Sequence, residues 1–155
     1  MSGFCKTYPL ITENHTKLLA ESLAKIAQKG DIFLLKGDLG TGKTTFSRFF
    51  IRSLIGESEQ VPSPTFNIVQ TYEGLNFDIW HFDLYRLESS RELEEIGLED
   101  SFYGGVSLIE WPERLGNYAP KKYISLSFEG DGGKKTLTMT VVGDWKERIH
   151  HVREI

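Results

Sequence analysis

One glycine-rich segment constrains the fold of this chain more than any other feature. Residues Gly37–Thr44 read GDLGTGKT and fit the pattern G-x-x-x-x-G-K-[ST] at every required position. The glycines allow the backbone to curl so that its N–H groups point inward, and converging N–H groups bind phosphate oxygens. The apolar run Ile32–Leu35 precedes the segment and predicts a strand buried on both faces. The segment therefore predicts a phosphate-binding loop between a buried strand and a helix.

Two side chains at the end of this loop carry chemistry that a bound nucleotide needs. Lys43 is placed to reach the β- and γ-phosphates, and the Thr44 hydroxyl can ligate Mg²⁺, a hard cation that prefers oxygen ligands. The helix that starts near Lys43 directs its positive N-terminal end at the same phosphates. We predict that the nucleotide contacts the following residues: Asp38, Leu39, Gly40, Thr41, Gly42, Lys43, Thr44 and Thr45.

The hydrophobic pattern of the whole chain predicts an α/β fold. We expect strands at Lys6–Ile11, Ile32–Leu35, Phe66–Tyr72, Phe77–Tyr85, Val106–Ile109, Tyr123–Phe128 and Thr136–Val142. We expect helices at Glu13–Lys29, Lys43–Ile55, Ser89–Gly97 and Asp144–Ile155. The predicted fold is a P-loop NTPase-like single domain over residues 1–155. Its mixed sheet has a parallel phosphate-loop half and antiparallel hairpins, and helices flank it.

Composition narrows the function classes. The net charge of -4 argues against strong independent binding to nucleic acid, which usually shows a basic footprint. The single cysteine, Cys5, excludes an intramolecular disulfide and fits a reducing compartment. No apolar stretch approaches the roughly 20 residues that span a bilayer, and Met1–Leu10 lacks the features of a signal peptide. We therefore expect a cytoplasmic protein without membrane contact.

A phosphate-binding loop usually works with an acidic residue at the end of a neighbouring apolar strand. Asp83 and Glu110 both meet this description, because each follows a short apolar run. The run Val106–Ile109 resembles a buried parallel strand, so the local pattern favours Glu110 as the metal ligand, whereas Asp83 would orient or activate the attacking water. An exposed or salt-bridged carboxylate at a strand end gives the same pattern, so the residues alone leave both roles open.

Four ordered blocks carry a resemblance to a known family. Between Glu13 and Glu113 the chain resembles the TsaE (formerly YjeE) family, the bacterial ATPases of tRNA threonylcarbamoyladenosine biosynthesis. The first block alone occurs in many unrelated NTPases, and the order of all four is much more specific. The blocks are residues 37–46, Ser63-Pro64-Thr65-Phe66, His81-Phe82-Asp83-Leu84-Tyr85-Arg86-Leu87, and Ile109-Glu110-Trp111-Pro112-Glu113.

The resemblance implies a specific activity and specific partners. It implies that the chain binds ATP and Mg²⁺ and that its hydrolysis of ATP supports turnover of a complex of the TsaD and TsaB proteins, with tRNA contacted only indirectly or within that complex. By motif, Thr44 and Glu110 become the Mg²⁺ ligands, and Thr65 belongs to a loop that senses the γ-phosphate. Asp83 lies close to the reaction centre, which makes Lys43, Asp83 and Thr65 the catalytic set. The start of the first helix makes Glu13 a further candidate nucleotide contact.

Three other functions are compatible with a phosphate-binding loop. A small-molecule kinase usually needs a lid and an arginine-rich pocket, and the arginines here are scattered. A GTPase would carry the guanine-reading pattern N-K-x-D, which is absent. A non-enzymatic module would bind nucleotide only to order a partner interface, and the presence of Asp83 and Glu110 argues against it.

Some residues in or near these blocks have more than one interpretation. His81 is more typical of a half-buried strand histidine than of a catalyst. Trp111 fits either core packing or a wall beside the nucleotide or a partner. Lys134 and Lys135 are interpreted as a charged hairpin turn rather than a nucleotide or RNA contact.

Overall fold

The apolar run before the glycine loop forms a strand at the centre of a seven-stranded sheet. A computed structural model describes residues 4–10, 12–130, 134–150 and 152. The strands are β1 (Phe4–Leu10), β2 (Ile32–Lys36), β3 (Val69–Tyr72), β4 (Asp78–Asp83), β5 (Gly105–Glu110), β6 (Tyr123–Glu129) and β7 (Lys135–Val142). The helices are α1 (Glu13–Ile26), α2 (Lys43–Ile55), α3 (Glu92–Glu95), α4 (Leu98–Gly104) and α5 (Lys146–Ile149), with a 3₁₀ segment at Pro112–Tyr118.

The strand order is β1-β7-β6-β2-β5-β4-β3. The central strands β6, β2, β5 and β4 are mutually parallel, and β3 and β7 run antiparallel to their neighbours. This arrangement confirms the predicted α/β fold with a parallel phosphate-loop half and antiparallel hairpins. The carboxyl ends of β2, β5 and β4 therefore meet at one edge of the sheet, where ligands bind in open parallel sheets.

Alternating residues of β2 bury themselves in two separate cores. Phe33 and Leu35 face the layer that contains α1 and α2, and Ile32 and Leu34 face the layer that contains α3 and α4. A strand buried on both faces needs a continuous apolar run, and this requirement explains why 32–35 carries no polar residue. The glycine loop thus emerges from the most enclosed part of the sheet.

Some element boundaries differ from the prediction. The helix α1 ends at Ile26 rather than Lys29, because Ala27 takes an extended conformation with φ -65 and ψ 141. The strand β3 begins at Val69 rather than Phe66, because the N–H of Ile68 donates to the carbonyl of Pro64 and Ile68 has a φ of 69. A left-handed β-branched residue interrupts an extended strand.

Two segments were not predicted at all. The helix α4 follows Gly97, where we expected the preceding helix to end. The 3₁₀ segment Pro112–Tyr118 follows β5. The hydroxyl of Ser107 donates to that of Ser101 inside the protein, and Leu98 is buried, so α4 is fixed by packing rather than by hydrophobic periodicity.

The last described residues of the chain are helical only in part. The helix α5 spans Lys146–Ile149. Residues 151 and 153–155 of the predicted helix Asp144–Ile155 lie outside the described part of the chain. Ile11 of the first predicted strand lies outside it too. Trp145 and Ile149 are buried, and Val152 packs against the same core, so these three side chains face inward. Across the described ranges of the chain, no helix is long and apolar enough to span a bilayer.

Candidate phosphate- and metal-binding site

The glycine loop is held tightly against strand β6. Gly37 has a φ of 145, and a Cβ atom there would lie 2.6 Å from Thr41 Oγ1 and 2.7 Å from the carbonyl oxygen of Phe128. Real Cβ atoms do not approach other atoms so closely, so this position requires glycine. Gly42 has a φ of 115 and is followed directly by the first residue of α2, Lys43. The backbone thus turns from β2 into the N-terminus of α2 within six residues.

Lys43 is held inside this loop. Its side chain is 4% exposed, and its ammonium donates to the carbonyl of Gly37 and, at 3.3 Å, to that of Asp38. The ring of Trp111 covers the ammonium with its centroid 3.6 Å from Nζ, a cation–π contact. Burial lowers the pKa of Lys43, an effect that nearby carboxylates oppose, Glu110 most strongly. The lysine is therefore a cation presented from a largely enclosed position.

Thr44 and Glu110 meet across the sheet edge. The Thr44 hydroxyl lies 3.0 Å from Glu110 Oε1 and 3.2 Å from Oε2. Glu110 is 2% exposed and also contacts His81, whose Nε2 lies 2.7 Å from Glu110 Oε2. Glu110, the last residue of β5, is thus in contact with the hydroxyl of Thr44 from α2 and the imidazole of His81 from β4.

Strand register explains this meeting. Asp83 pairs with Glu110 and His81 pairs with Leu108 in the parallel ladder between β4 and β5. Residues two apart on a strand share a face, so His81 and Asp83 lie on the face of β4 that looks toward α2. The same rule places Glu110 on the matching face of β5. The carboxyl ends of the two strands therefore deliver their polar side chains to the start of α2.

Asp83 forms a second polar cluster beside the first. Its Oδ1 accepts the N–H of Tyr85 at 3.1 Å, and its Oδ2 accepts the hydroxyl of Thr65 at 3.3 Å. Thr65 also contacts the Ser63 hydroxyl at 2.8 Å. Burial raises the pKa of Asp83, and the Glu110 carboxylate adds to the rise while the Tyr85 and Thr65 hydrogen bonds oppose it. The carboxylate is consequently a better proton acceptor than an exposed aspartate.

A cleft of about 230 Å³ brings most of the predicted site residues together. It is lined by Leu39, Gly40, Gly42, Lys43, Thr44, Thr45, Ser63, Thr65, Asp83, Glu110, Trp111 and Lys135. Asp38 and Thr41 line a second depression, together with residues of β6. Glu13 is exposed at the start of α1 and lines neither of these depressions, so the structure does not bring it to the other predicted contacts.

The oxygen atoms of Thr44 and Glu110 form a donor set that fits Mg²⁺. Both are hard ligands, and they lie close enough to bind one ion together. No group of three or more His, Cys, Asp or Glu side chains arranged for a metal occurs among the residues that the structure describes. Mg²⁺ does not require such a cage, because it usually keeps several waters and binds one or two protein ligands plus substrate phosphates.

Sequence reasoning did not assign three residues that line the cleft. Trp111, for which the sequence left core packing and a wall beside the nucleotide open, covers Lys43 and also packs against the buried cluster that contains Ile109 and Leu115. Lys135 lines the cleft rather than serving only as a charged turn. Ser63 joins through its contact with Thr65. A lysine near a hairpin carries no local pattern that would have signalled its place in the cleft.

A buried parallel strand, a glycine loop and a helix that begins with Lys43 and Thr44 define a P-loop fold. Comparisons with known proteins agree. The sequence model of the family described as "Threonylcarbamoyl adenosine biosynthesis protein TsaE" matches residues 10–139. This chain belongs to the TsaE family.

Relatives and a solved structure cover nearly the whole chain. A Rickettsia conorii protein named tRNA threonylcarbamoyladenosine biosynthesis protein TsaE is 41% identical over 90% of this chain and 79% of its own length. The Bacillus subtilis protein of the same name is 36% identical over 90% of this chain and 87% of its own length. The crystal structure of Bacillus subtilis YdiB superposes with a TM-score of 0.81 at 27% identity and covers 98% of this chain and 96% of that one. Membership places the chain in tRNA threonylcarbamoyladenosine biosynthesis.

Proposed function

We propose that residues 1–155 act as one domain that binds ATP together with Mg²⁺ and hydrolyses it. The observation that carries the proposal is the convergence of Lys43, Thr44 and Glu110 on one cleft at the carboxyl ends of β2 and β5. A lysine, a hydroxyl and a carboxylate in these positions match the needs of a triphosphate and its metal ion.

Different residues of the cleft have different roles in the transfer of the γ-phosphoryl group to water. The loop N–H groups and Lys43 bind the phosphates and stabilise the charge that develops in the transition state. Thr44 and Glu110 hold Mg²⁺, which when bound supplies further positive charge to the phosphate oxygens. Asp83 orients the attacking water and accepts a proton from it, a role that its raised pKa supports. Thr65 donates to Asp83 and senses the γ-phosphate from the adjoining loop.

We infer that this hydrolysis supports turnover of the TsaB–TsaD complex in the cytoplasm. Two TsaE relatives are named for tRNA threonylcarbamoyladenosine biosynthesis, and the residues that converge on the cleft of this chain suit a triphosphate and its metal ion. The net charge of -4 supports indirect rather than independent tRNA contact.

The decisive experiment measures ATP hydrolysis by the wild type and by Lys43→Ala, each alone and with TsaB plus TsaD. We expect slow turnover alone, an increase with the partners, and loss of the increased activity in Lys43→Ala. A Lys43→Ala variant that hydrolyses ATP like the wild type would show that the activity arises outside this loop. A wild type that prefers GTP, or that phosphorylates a hydroxyl acceptor instead of releasing phosphate, would replace the proposal with a GTPase or a kinase.

A further inference from the structure

His81 lies inside the protein directly beside the proposed metal ligand. It is 0% exposed, and its Nε2 is 2.7 Å from Oε2 of Glu110, which is itself 2% exposed. A carboxylate that binds a metal ion is ionised and can only accept hydrogen bonds, so when Glu110 acts as a metal ligand the imidazole must be the donor. His81 does not line the cleft where the nucleotide is proposed to bind. Any effect of His81 on that site therefore acts through Glu110.

A simple packing role does not account for the imidazole. The other ring nitrogen, Nδ1, is buried and has no hydrogen-bond partner within the described part of the chain. A buried polar atom without a partner destabilises a protein, and an apolar side chain of similar volume would avoid that loss. The bond to Glu110 is the interaction that the imidazole gains in return.

The hydrogen bonds to Glu110 differ in what they fix. The Thr44 hydroxyl is 3.0 Å from one carboxylate oxygen and 3.2 Å from the other. One hydroxyl proton shared between two oxygens does not select a single rotation of the carboxylate plane. The bond from His81 reaches only Oε2 and is the shortest of the three. His81 therefore determines which way the carboxylate of Glu110 is turned.

We propose that His81 is a positioning residue, whose Nε2–H orients the Glu110 carboxylate for Mg²⁺ without touching nucleotide or metal. The inference rests on the proposed function, because it requires Glu110 to be a metal ligand. Groups that hydrogen-bond to a ligating side chain in this way fix its orientation and typically change metal affinity 10- to 100-fold when they are removed.

The test compares two substitutions at this position. In His81→Gln the amide nitrogen lies the same number of bonds from Cα as Nε2 does in histidine, so the donor is retained. In His81→Leu the volume is filled and the donor is lost. Mn²⁺ serves as the probe for the metal, measured by electron paramagnetic resonance with a non-hydrolysable ATP analogue. Analogue binding in EDTA and thermal unfolding without nucleotide are recorded for each protein.

We expect His81→Leu to weaken Mn²⁺ binding in the ternary complex by about 10-fold or more, with analogue affinity in EDTA within about twofold of wild type. We expect His81→Gln to restore Mn²⁺ affinity to within about threefold of wild type. A purely structural role would lower unfolding temperature and affinity in EDTA together, and would not be rescued selectively by a retained donor.

Other outcomes overturn the inference. Wild-type Mn²⁺ affinity in His81→Leu, or a His81→Gln variant as defective as His81→Leu, would show that the hydrogen bond does not position Glu110. If His81→Leu does not fold, His81→Asn replaces it, because its amide is one bond shorter and does not reach Glu110. If the wild type binds no Mn²⁺ with the analogue, the proposed function itself is wrong. If the wild type binds Mn²⁺ normally and the variants bind it equally well, only the role of His81 is wrong.

Discussion

Glu110 accepts hydrogen bonds from Thr44 and His81, so a change in its charge tests the metal site directly. We predict that Glu110→Gln abolishes the stimulation of nucleotide binding by Mg²⁺ and lowers ATP hydrolysis by about 100-fold or more, because a neutral amide oxygen binds a divalent cation more weakly than a carboxylate does. ATP affinity in EDTA stays near that of the wild type. Titrations with and without Mg²⁺, followed by hydrolysis assays, measure both effects.

The matched control is Glu113→Gln, which makes the same chemical change at an exposed position three residues further along. In Glu113→Gln, Mg²⁺ should still stimulate nucleotide binding, because the carboxylate of Glu113 acts on Lys43 only by long-range electrostatic interaction. Equal behaviour of the two variants would remove Glu110 from the metal site.

Asp83 links the site to the dependence of stability on pH. Its pKa in the folded protein is raised by burial, so the folded state binds the proton more tightly than the unfolded state does. This group therefore stabilises the fold at pH values below the ordinary aspartate pKa, and that contribution is lost as the pH rises through the raised value. At pH 7 the buried charge opposes folding.

We predict from this sign that Asp83→Asn unfolds at a higher temperature than the wild type at pH 7. Asparagine can still accept the N–H of Tyr85 and pair with the Thr65 hydroxyl, so few contacts are lost. A gain of about 1 kcal/mol would raise the midpoint by roughly 2–4 °C in a chain of this length. The difference should disappear near pH 3, and hydrolysis should fall. A midpoint gap that is constant across pH would contradict the assignment.

At the scale of elements, the packing of the glycine loop against β6 makes two of its glycines, Gly37 and Gly40, differ in how well they tolerate a side chain. A Cβ at Gly37 would overlap Thr41 and the backbone of Phe128, whereas a Cβ at Gly40 would meet nothing within 4 Å. Gly40→Ala therefore carries only the cost of its φ of 77, about 1–2 kcal/mol. We predict that Gly37→Ala lowers the free energy of unfolding by clearly more, about 3 kcal/mol, because the loop must also move away from β6.

Denaturant unfolding of the two alanine variants, with Mg²⁺-ATP binding measured on each, provides the comparison. Gly37→Ala should also lose most of its nucleotide affinity, since a displaced loop no longer aims its N–H groups together. Equal destabilisation of the two variants would show that contact with β6 does not hold the loop.

Elements specified by local sequence were predictable, and elements fixed by distant packing were not. The helix α2 begins and ends where the sequence indicated, because Gly42 and Gly56 lie at its two boundaries and its apolar residues recur at helical spacing. The strand predicted from Phe66 starts three residues later, since the turn that ends at Ile68 depends on the carbonyl of Pro64 and on Asp83, whose N–H donates to Ile68. A hydrophobic run does not reveal such a turn.

The same division applies to the candidate site. Lys43 and Thr44 follow from a local motif, and Asp83 and Glu110 follow from the expectation that an acidic residue at the end of a neighbouring apolar strand works with such a loop. The contact between His81 and Glu110 depends on the register of β4 against β5, which pairs Asp83 with Glu110. A shift of one residue would turn His81 to the opposite face. Register is set by both cores together, so the sequence indicated a strand histidine but not its partner.

At the scale of the whole molecule, the end of the chain supports the strand that leads into the site. Trp145 is 4% exposed, and its ring meets that of Phe33 edge-on, with centroids 5.9 Å apart. The guanidinium of Arg148 lies over the ring of Trp145 and forms a two-point ion pair with Asp31, which directly precedes β2. The residues around α5 therefore cover the core beside the start of β2, at the end of the strand opposite the glycine loop, and they do not line the cleft.

This separation predicts that stability and ligand binding respond differently to Trp145→Ala. Removing a buried tryptophan should lower the free energy of unfolding by about 3–5 kcal/mol and the midpoint by about 10 °C or more. Well below the midpoint, nucleotide affinity should stay within about twofold of wild type, because no cleft residue is changed.

The matched comparison is Trp111→Ala, which removes the ring that covers Lys43 and should alter nucleotide affinity at a smaller cost in stability. Calorimetry and nucleotide titration of both variants measure the two effects separately. If Trp145→Ala lost nucleotide affinity without a lower midpoint, the end of the chain would belong to the site rather than to the core that supports it.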